Sequence, residues 1–208
     1  MDNQEYLKDL SEIKDLMNKS SRFISLSGLA GVMAGIYALI GAYLAYDTIY
    51  ATEEPSKDAY KSIVLYELEM IELFGIALAV LILSIITAIF LSWRKAKKHN
   101  EKLWDPTSRR LLINFLIPLA TGGFFILLLI EKESFALIAP LTLVFYGLAC
   151  VNASKYTLGY TRYLGVTMVL IGLVSVYFLG YGLHFWALGF GLCHIVYGTL
   201  MYFKYDRD

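Results

Sequence analysis

The chain has 208 residues, of which 58% are apolar and only 17% are charged, and its mean hydropathy is +0.58. Soluble domains carry about 45–50% apolar and about 25% charged residues, so this composition excludes a soluble single domain, a disordered chain and a disulfide scaffold. Basic and acidic residues number 18 each, and this balance gives no indication of a nucleic-acid partner.

Six apolar stretches are long enough, or nearly so, to cross a bilayer as helices, since a crossing needs about 20 residues. The predicted spans are residues 23–46, 73–93, 111–130, 135–152, 163–182 and 183–203. The last two must fold back around Gly180 and Gly182, because an apolar run of about 40 residues is too long for one crossing. We therefore expect an all-α integral membrane protein, with six transmembrane helices in three antiparallel hairpins over residues 23–208.

The basic residues set the expected orientation. With the N-terminus inside, the outer segments hold only Lys57, Lys61 and Lys132, and all other lysines and arginines lie on the cytoplasmic side. The most basic loop, residues 94–110, is expected to set topology and to contact anionic lipid. Residues 1–22 mix acids and bases and precede a full-length span, so no cleavable signal peptide is expected. Both termini are predicted to be cytoplasmic, in a cell membrane (inner or plasma).

The first 22 residues contain a second pattern. Leu7, Leu10, Ile13 and Met17 recur at helical spacing with charged residues between them, which predicts a short cytoplasmic amphipathic helix. Such a helix can pack on the bundle, bind a protein partner or self-associate.

Small residues mark faces where transmembrane helices approach closely. The first span carries Gly31 and Gly35 at the close-packing spacing, and the fifth carries Gly165 and Gly172. The partner of each face is either another helix of the same bundle, which we favour, or a second subunit.

No Asp, Glu, Lys or Arg is expected near the middle of any span, which argues against ion-coupled transport. His194 is the ionisable group expected at mid-depth, and Tyr197, Tyr146 and Tyr37 are expected at similar depth. These four side chains predict either a structural hydrogen-bonded cluster, which we favour, or a site for a small ligand or a proton relay.

A second polar group is expected near the outer surface. Glu69 and Glu72 share a helix face, and His184 could join them at a metal site if the second and sixth helices were adjacent. The sequence contains no nucleophile elbow, phosphate loop or His-Glu-x-x-His motif. We therefore assign no catalytic residue, metal or cofactor.

The preferred function is that of a non-enzymatic binding, sensing or regulatory subunit. The alternative is a small transporter or channel for a neutral or apolar solute, with the His/Tyr cluster lining its path and helices weakened by Pro118 and Pro140. A third hypothesis is a membrane enzyme that uses the outer polar group.

Overall fold

A computed structural model describes residues 26–50, 67–98, 100, 102–157 and 159–207. This part of the chain is helical and contains no β-strand. It includes six helices that are long and apolar enough to cross a membrane, in agreement with the predicted all-α, multi-pass class. The predicted amphipathic segment with Leu7, Leu10, Ile13 and Met17 lies outside the described residues.

The six helices follow one another with short connections wherever the structure describes the chain. We number them α1 (Gly28–Tyr50), α2 (Glu67–Lys98), α3 (Pro106–Glu131), α4 (Ile138–Ala153), α5 (Tyr160–Tyr177) and α6 (Gly182–Tyr205). Single 3-10 turns, Phe135–Leu137 and Ser154–Tyr156, extend α4 at both ends.

The N-terminus of α3 is fixed by local sequence. The Asp105 carboxylate accepts a hydrogen bond from the Ser108 backbone N–H at 2.6 Å, and the Asp105 backbone N–H donates to the Ser108 hydroxyl at 2.8 Å. Pro106 occupies the first helical position, where a missing N–H costs nothing. Asp105 and Pro106 together therefore set the position at which α3 begins.

Helix α6 occupies the centre of the arrangement. It packs against α1 on one side and against α4 and α5 on the other. Helix α2 packs on α1, and α3 packs on α4. Helices α2 and α3 therefore lie at the two ends of the series of packed helices α2–α1–α6–α4–α3. Within the described residues, α2 and α3 do not pack extensively against each other.

Glycines allow the closest helix crossings. A Cβ on Gly198 of α6 would lie 2.6 Å from the backbone nitrogen of Val32 in α1, and a Cβ on Gly31 would lie 3.2 Å from the Cα of Gly198. The same relationship joins α4 to α5, because a Cβ on Gly147 would lie 2.6 Å from the carbonyl oxygen of Gly165. Close backbone approach of this kind lets helices associate in lipid through dispersion contacts.

The chain reverses between α5 and α6 at the predicted glycines. Helix α5 ends at Tyr177, earlier than the predicted span, and Gly180 has a φ of 95°, a conformation that favours glycine. The reversal places Tyr181 and Gly182 at the same end of the bundle as the start of α4, since a Cβ on Gly182 would lie 3.0 Å from Ala139.

The prolines do not interrupt the helices where the sequence suggested. Helix α3 continues through Pro118, and Pro140 lies in the first turn of α4, where proline displaces no intrahelical hydrogen bond. The irregular segment is instead in α6, whose residues Ala187–Cys193 form a π-helical stretch. The wider turn brings Gly189 against Leu143 and Met168, two of the most deeply buried side chains of the described chain.

Candidate functional site

A buried polar pair lies at the middle of α6. The hydroxyl of Tyr146 on α4 is 2.8 Å from Nε2 of His194, and Nδ1 of His194 is 3.1 Å from the carbonyl oxygen of Gly189. A carbonyl can only accept, so Nδ1 carries the proton, and Nε2 of the neutral ring accepts from the tyrosine. One neutral tautomer thus satisfies both ring nitrogens.

The other two tyrosines of the predicted cluster bond elsewhere. The Tyr197 hydroxyl lies 3.0 Å from Oγ1 of Thr167 on α5, and the Tyr37 hydroxyl lies 3.2 Å from Oγ1 of Thr87 on α2. The structure therefore brings His194 and Tyr146 together and uses Tyr197 and Tyr37 as separate links between neighbouring helices. All four polar tips have protein partners, as expected for interhelical hydrogen bonds in an apolar medium.

An aromatic column extends from His194 towards the end of α6 that contains Gly182. Phe190 stacks on the His194 ring with centroids 5.8 Å apart, and Trp186 lies 4.9 Å from Phe190. Tyr146 also contacts Phe190, at 5.0 Å, and Phe115 of α3, at 5.8 Å. The spacing of four residues between Trp186, Phe190 and His194 keeps the three rings on one helix face.

A large apolar cavity, here called the cleft, begins where this column ends. Its volume is about 930 Å³. Its walls come from five helices and from residues 177–181, which are the last residue of α5 and the turn after it. They include Gly41, Ala42 and Ala45 of α1, Leu73, Phe74, Ala77 and Val80 of α2, Ile126 and Ile130 of α3, Ala139 and Thr142 of α4, and Leu183 and Trp186 of α6.

Most of the described residues that line the cleft present apolar atoms to an occupant. Thr142 donates its hydroxyl hydrogen to the Ala139 carbonyl at 2.7 Å, and Ser134 donates to the Lys132 carbonyl at 3.3 Å, so both hydroxyls have local acceptors. Glu133 lies at the rim with an exposed side chain. The lining residues do not include His194 or Tyr146, from which Trp186 and Phe190 separate the cleft.

Two members of the predicted outer polar group, Glu72 and His184, are sequence neighbours of residues that line the cleft, Leu73 and Leu183. His184 is exposed and its ring contacts Tyr46 at 6.1 Å and Tyr181 at 5.9 Å. Glu72 is exposed on α2, while the side chain of Glu69 lies outside the described ones. The described residues contain no group of three or more His, Cys, Asp or Glu side chains placed to hold a metal. The possible metal site therefore remains a prediction.

At the opposite end of the bundle, a polar cluster that we call the clasp joins three helices. Lys95, near the end of α2, lies 2.7 Å from Asp206, just after α6, and both side chains are about nine-tenths buried. The other oxygen of Asp206 accepts from the Gly28 backbone N–H at 2.8 Å and from the Ser27 hydroxyl at 3.1 Å. Lys95 also donates to the Leu26 carbonyl at 3.1 Å.

The clasp has a clear physical function. Asp206 acts as an N-cap for α1 from a residue 178 positions away, and its negative charge lies at the positive end of the helix dipole. The sequence pattern does not indicate this pairing, because Lys95 is one of several basic residues in the loop that is expected to set topology. The available signal was Asp206 itself, an acid between Lys204 and Arg207.

The predicted packing glycines all lie at contacts within the chain. Gly31 faces Gly198, and a Cβ on Gly35 would lie 2.6 Å from the Gly191 carbonyl oxygen of α6. A Cβ on Gly165 would lie 2.6 Å from the Gly147 carbonyl oxygen, and one on Gly172 would lie 2.8 Å from that of Pro140. These faces therefore have partners inside the molecule.

Comparisons of the chain with protein-family models, with curated proteins and with solved structures find no match. A function is therefore inferred from the geometry of the cleft, the polar pair and the clasp.

Proposed function

We propose that this chain is a non-enzymatic membrane protein that binds one apolar, lipid-like molecule in the cleft between α2 and α3. The observation that carries the proposal is a cavity of about 930 Å³ with predominantly apolar walls, which is at the upper end of the range of about 300–1,000 Å³ for ligand pockets. Because five helices and the turn after α5 contribute to the walls, an occupant contacts most of the bundle. This supports a binding or sensing role.

The orientation that we propose has both termini in the cytoplasm of a cell membrane, with the helices in three antiparallel hairpins. Among the described lysines and arginines, Lys132 lies at the cleft end of the bundle, and the others lie at or near the clasp end. Basic residues accumulate on the cytoplasmic side of membrane proteins. The clasp is then cytoplasmic, and the cleft lies in the outer half of the bilayer.

The depth and walls of the cleft indicate the class of ligand. Its α1 wall extends from Gly41 to Ile49, about 12 Å at 1.5 Å per residue, so it covers part of one leaflet. We propose that the cleft opens towards the bilayer between α2 and α3, so that an apolar molecule enters sideways. The hydroxyls of Thr142 and Ser134 are bonded locally, which favours an apolar body over a strongly polar one.

The geometry supports the binding of a ligand more strongly than the transport of a solute through the bundle. A path along the predicted His/Tyr cluster would need polar groups free to meet a solute, whereas His194 is bonded through both ring nitrogens and Tyr197 and Tyr37 each bond a threonine. The cleft also stops at Trp186, about 12 Å along α6 from His194.

The test compares two substitutions on the same helix at the same depth. Ala77 and Ala79 are both exposed on α2, but only Ala77 lines the cleft. Ala77→Trp places an indole in the cleft and takes up part of its volume, and Ala79→Trp is the matched control. Native mass spectrometry of protein released from its host membrane should show a bound lipid-sized mass with wild type and Ala79→Trp. Ala77→Trp should reduce its occupancy at least about tenfold, which corresponds to about 1.4 kcal/mol. Equal retention by both variants, or no bound mass in wild type, would overturn the proposal.

A further inference from the structure

The packing of α2 is uneven along its length. At the clasp end, Ser92 and Ala96 are buried and Lys95 is paired with Asp206. Towards the cleft end its side chains are largely exposed, and none of the most apolar 18-residue window is buried. Helix α1 is the neighbour against which α2 packs, so α2 is held firmly at one end and lightly at the other.

The lightly held half of α2 forms one wall of the cleft. There α2 lies against α1 at Gly41, which Val80 and Ile76 contact, and the Tyr37–Thr87 hydrogen bond joins the two helices between this contact and the clasp. Gly75 has no neighbouring atom within 4 Å of its Cβ position. Segments with few buried apolar contacts have the lowest free energies of local opening, so we expect this half of α2 to move first.

We propose that α2 is a lateral gate of the cleft and that the clasp, through Lys95 and Asp206, forms the hinge that sets its position. This inference rests on the proposed function only for what the gate admits, which is the ligand of the cleft. The coupling between the clasp and the position of α2 does not depend on any ligand. A tilt of about 10° about Lys95 would move Leu78 by about 4 Å, because 17 residues of helix span about 26 Å. A movement of that size changes the width of the opening between α2 and α3.

The experiment measures this distance in the full chain reconstituted in lipid nanodiscs. Spin labels are placed on genetically encoded ketone residues at Leu78 of α2 and Phe124 of α3, both exposed in the structure. A second pair of labels, at Leu148 of α4 and Leu173 of α5, reports whether the rest of the bundle moves. Pulsed dipolar spectroscopy is then compared for wild type, Lys95→Met and the exposed neighbour Lys97→Met.

We expect Lys95→Met to broaden the Leu78–Phe124 distribution and to shift it by several ångströms, about the size of the tilt above. The Leu148–Leu173 distances should stay unchanged, and Lys97→Met should match wild type at both pairs. An unchanged Leu78–Phe124 distribution in Lys95→Met would overturn the inference. So would an equal shift with Lys97→Met.

A disulfide lock distinguishes displacement of α2 from general misfolding. A Cβ on Gly41 would lie 3.9 Å from the Cβ of Val80, within the range of about 3.5–4.5 Å that disulfides require. In a Cys150→Ala, Cys193→Ala background, oxidised Gly41→Cys, Val80→Cys should return the Lys95→Met distances to those of wild type, and reduction should release them. Failure of oxidation to restore the distances would overturn the inference.

The two proposals fail separately. If the distances respond to the clasp but Ala77→Trp and Ala79→Trp retain lipid equally, the gate stands as a mechanical element and the binding function fails. If lipid binding distinguishes these variants but Lys95→Met leaves the Leu78–Phe124 distances unchanged, the proposed binding function stands and the proposed gate fails.

Discussion

Lys95 and Asp206 lie 111 positions apart in the chain, and their charged atoms meet at 2.7 Å with both side chains largely buried. Because Asp206 also caps the first helix, one carboxylate connects the start of α1, the end of α2 and the segment after α6. Removal of a single partner leaves the other charge buried without compensation, which is more costly than losing an exposed ion pair.

We therefore expect Lys95→Met and Asp206→Ala to lower the free energy of unfolding by about 3 kcal/mol, a value typical of a broken buried pair. Asp206→Asn should cost less, because asparagine is also a good N-cap and can still accept from the Gly28 N–H. Unfolding in mixed micelles, followed by tryptophan fluorescence, measures the free energy of unfolding of each variant and so their order of stability. Equal losses for Asp206→Ala and Asp206→Asn would show that the capping contact contributes nothing.

The glycine crossings give a second prediction. Gly198→Ala should destabilise the bundle by about 1–3 kcal/mol, because its Cβ would overlap the backbone of α1 at Val32. Gly123→Ala on α3 is the control, since its Cβ position has no neighbour within 4 Å and alanine favours helix. The same unfolding assay should find Gly123→Ala neutral or slightly stabilising. A Gly198→Ala protein as stable as wild type would contradict the tight α1–α6 crossing.

The polar pair predicts a specific form of His194. Nitrogen-15 NMR of the imidazole should show Nδ1 protonated and Nε2 unprotonated in the folded protein, because Nδ1 donates to the Gly189 carbonyl. Tyr146→Phe should move the Nε2 resonance and cost about 1 kcal/mol, since it leaves an acceptor without its donor. Tyr197→Phe should leave that resonance in place. The opposite tautomer would contradict the assigned bonding.

The sequence was sufficient for the class of fold because lipid constrains it strongly: a spanning segment must be long, apolar and helical, and the six described helices follow the six apolar stretches. The N-cap at Asp105 can also be predicted from the sequence, since its hydrogen-bond partners lie within three residues. The order in which the helices pack cannot be predicted in this way, because the sequences of apolar helices carry little information about their neighbours. The cleft, the separation of Tyr37 from His194, and the pairing of Lys95 with Asp206 all depend on that order.

The proposed orientation has its own test. In a Cys150→Ala, Cys193→Ala background, single cysteines replace Lys97 at the clasp end and Glu131 at the cleft end, where both residues are exposed. A membrane-impermeant maleimide added to intact cells should label the cysteine at position 131 and not the one at position 97, which requires prior lysis. Labelling of position 97 in intact cells would reverse the orientation and place the cleft in the cytoplasmic leaflet.

The most direct test of the account is the access of lipid to Trp186 inside the cleft. With Trp93→Phe and Trp104→Phe, Trp186 is the remaining tryptophan, and phospholipids brominated along the acyl chain quench its fluorescence on contact. A cleft open to the bilayer predicts strong quenching of Trp186, comparable to that of the exposed Trp93 in a protein that retains only that tryptophan. The quenching should be strongest for bromines on the half of the acyl chain nearest the headgroup. A Trp186 that brominated lipid leaves unquenched, while Trp93 is quenched, would contradict a cleft open to the bilayer.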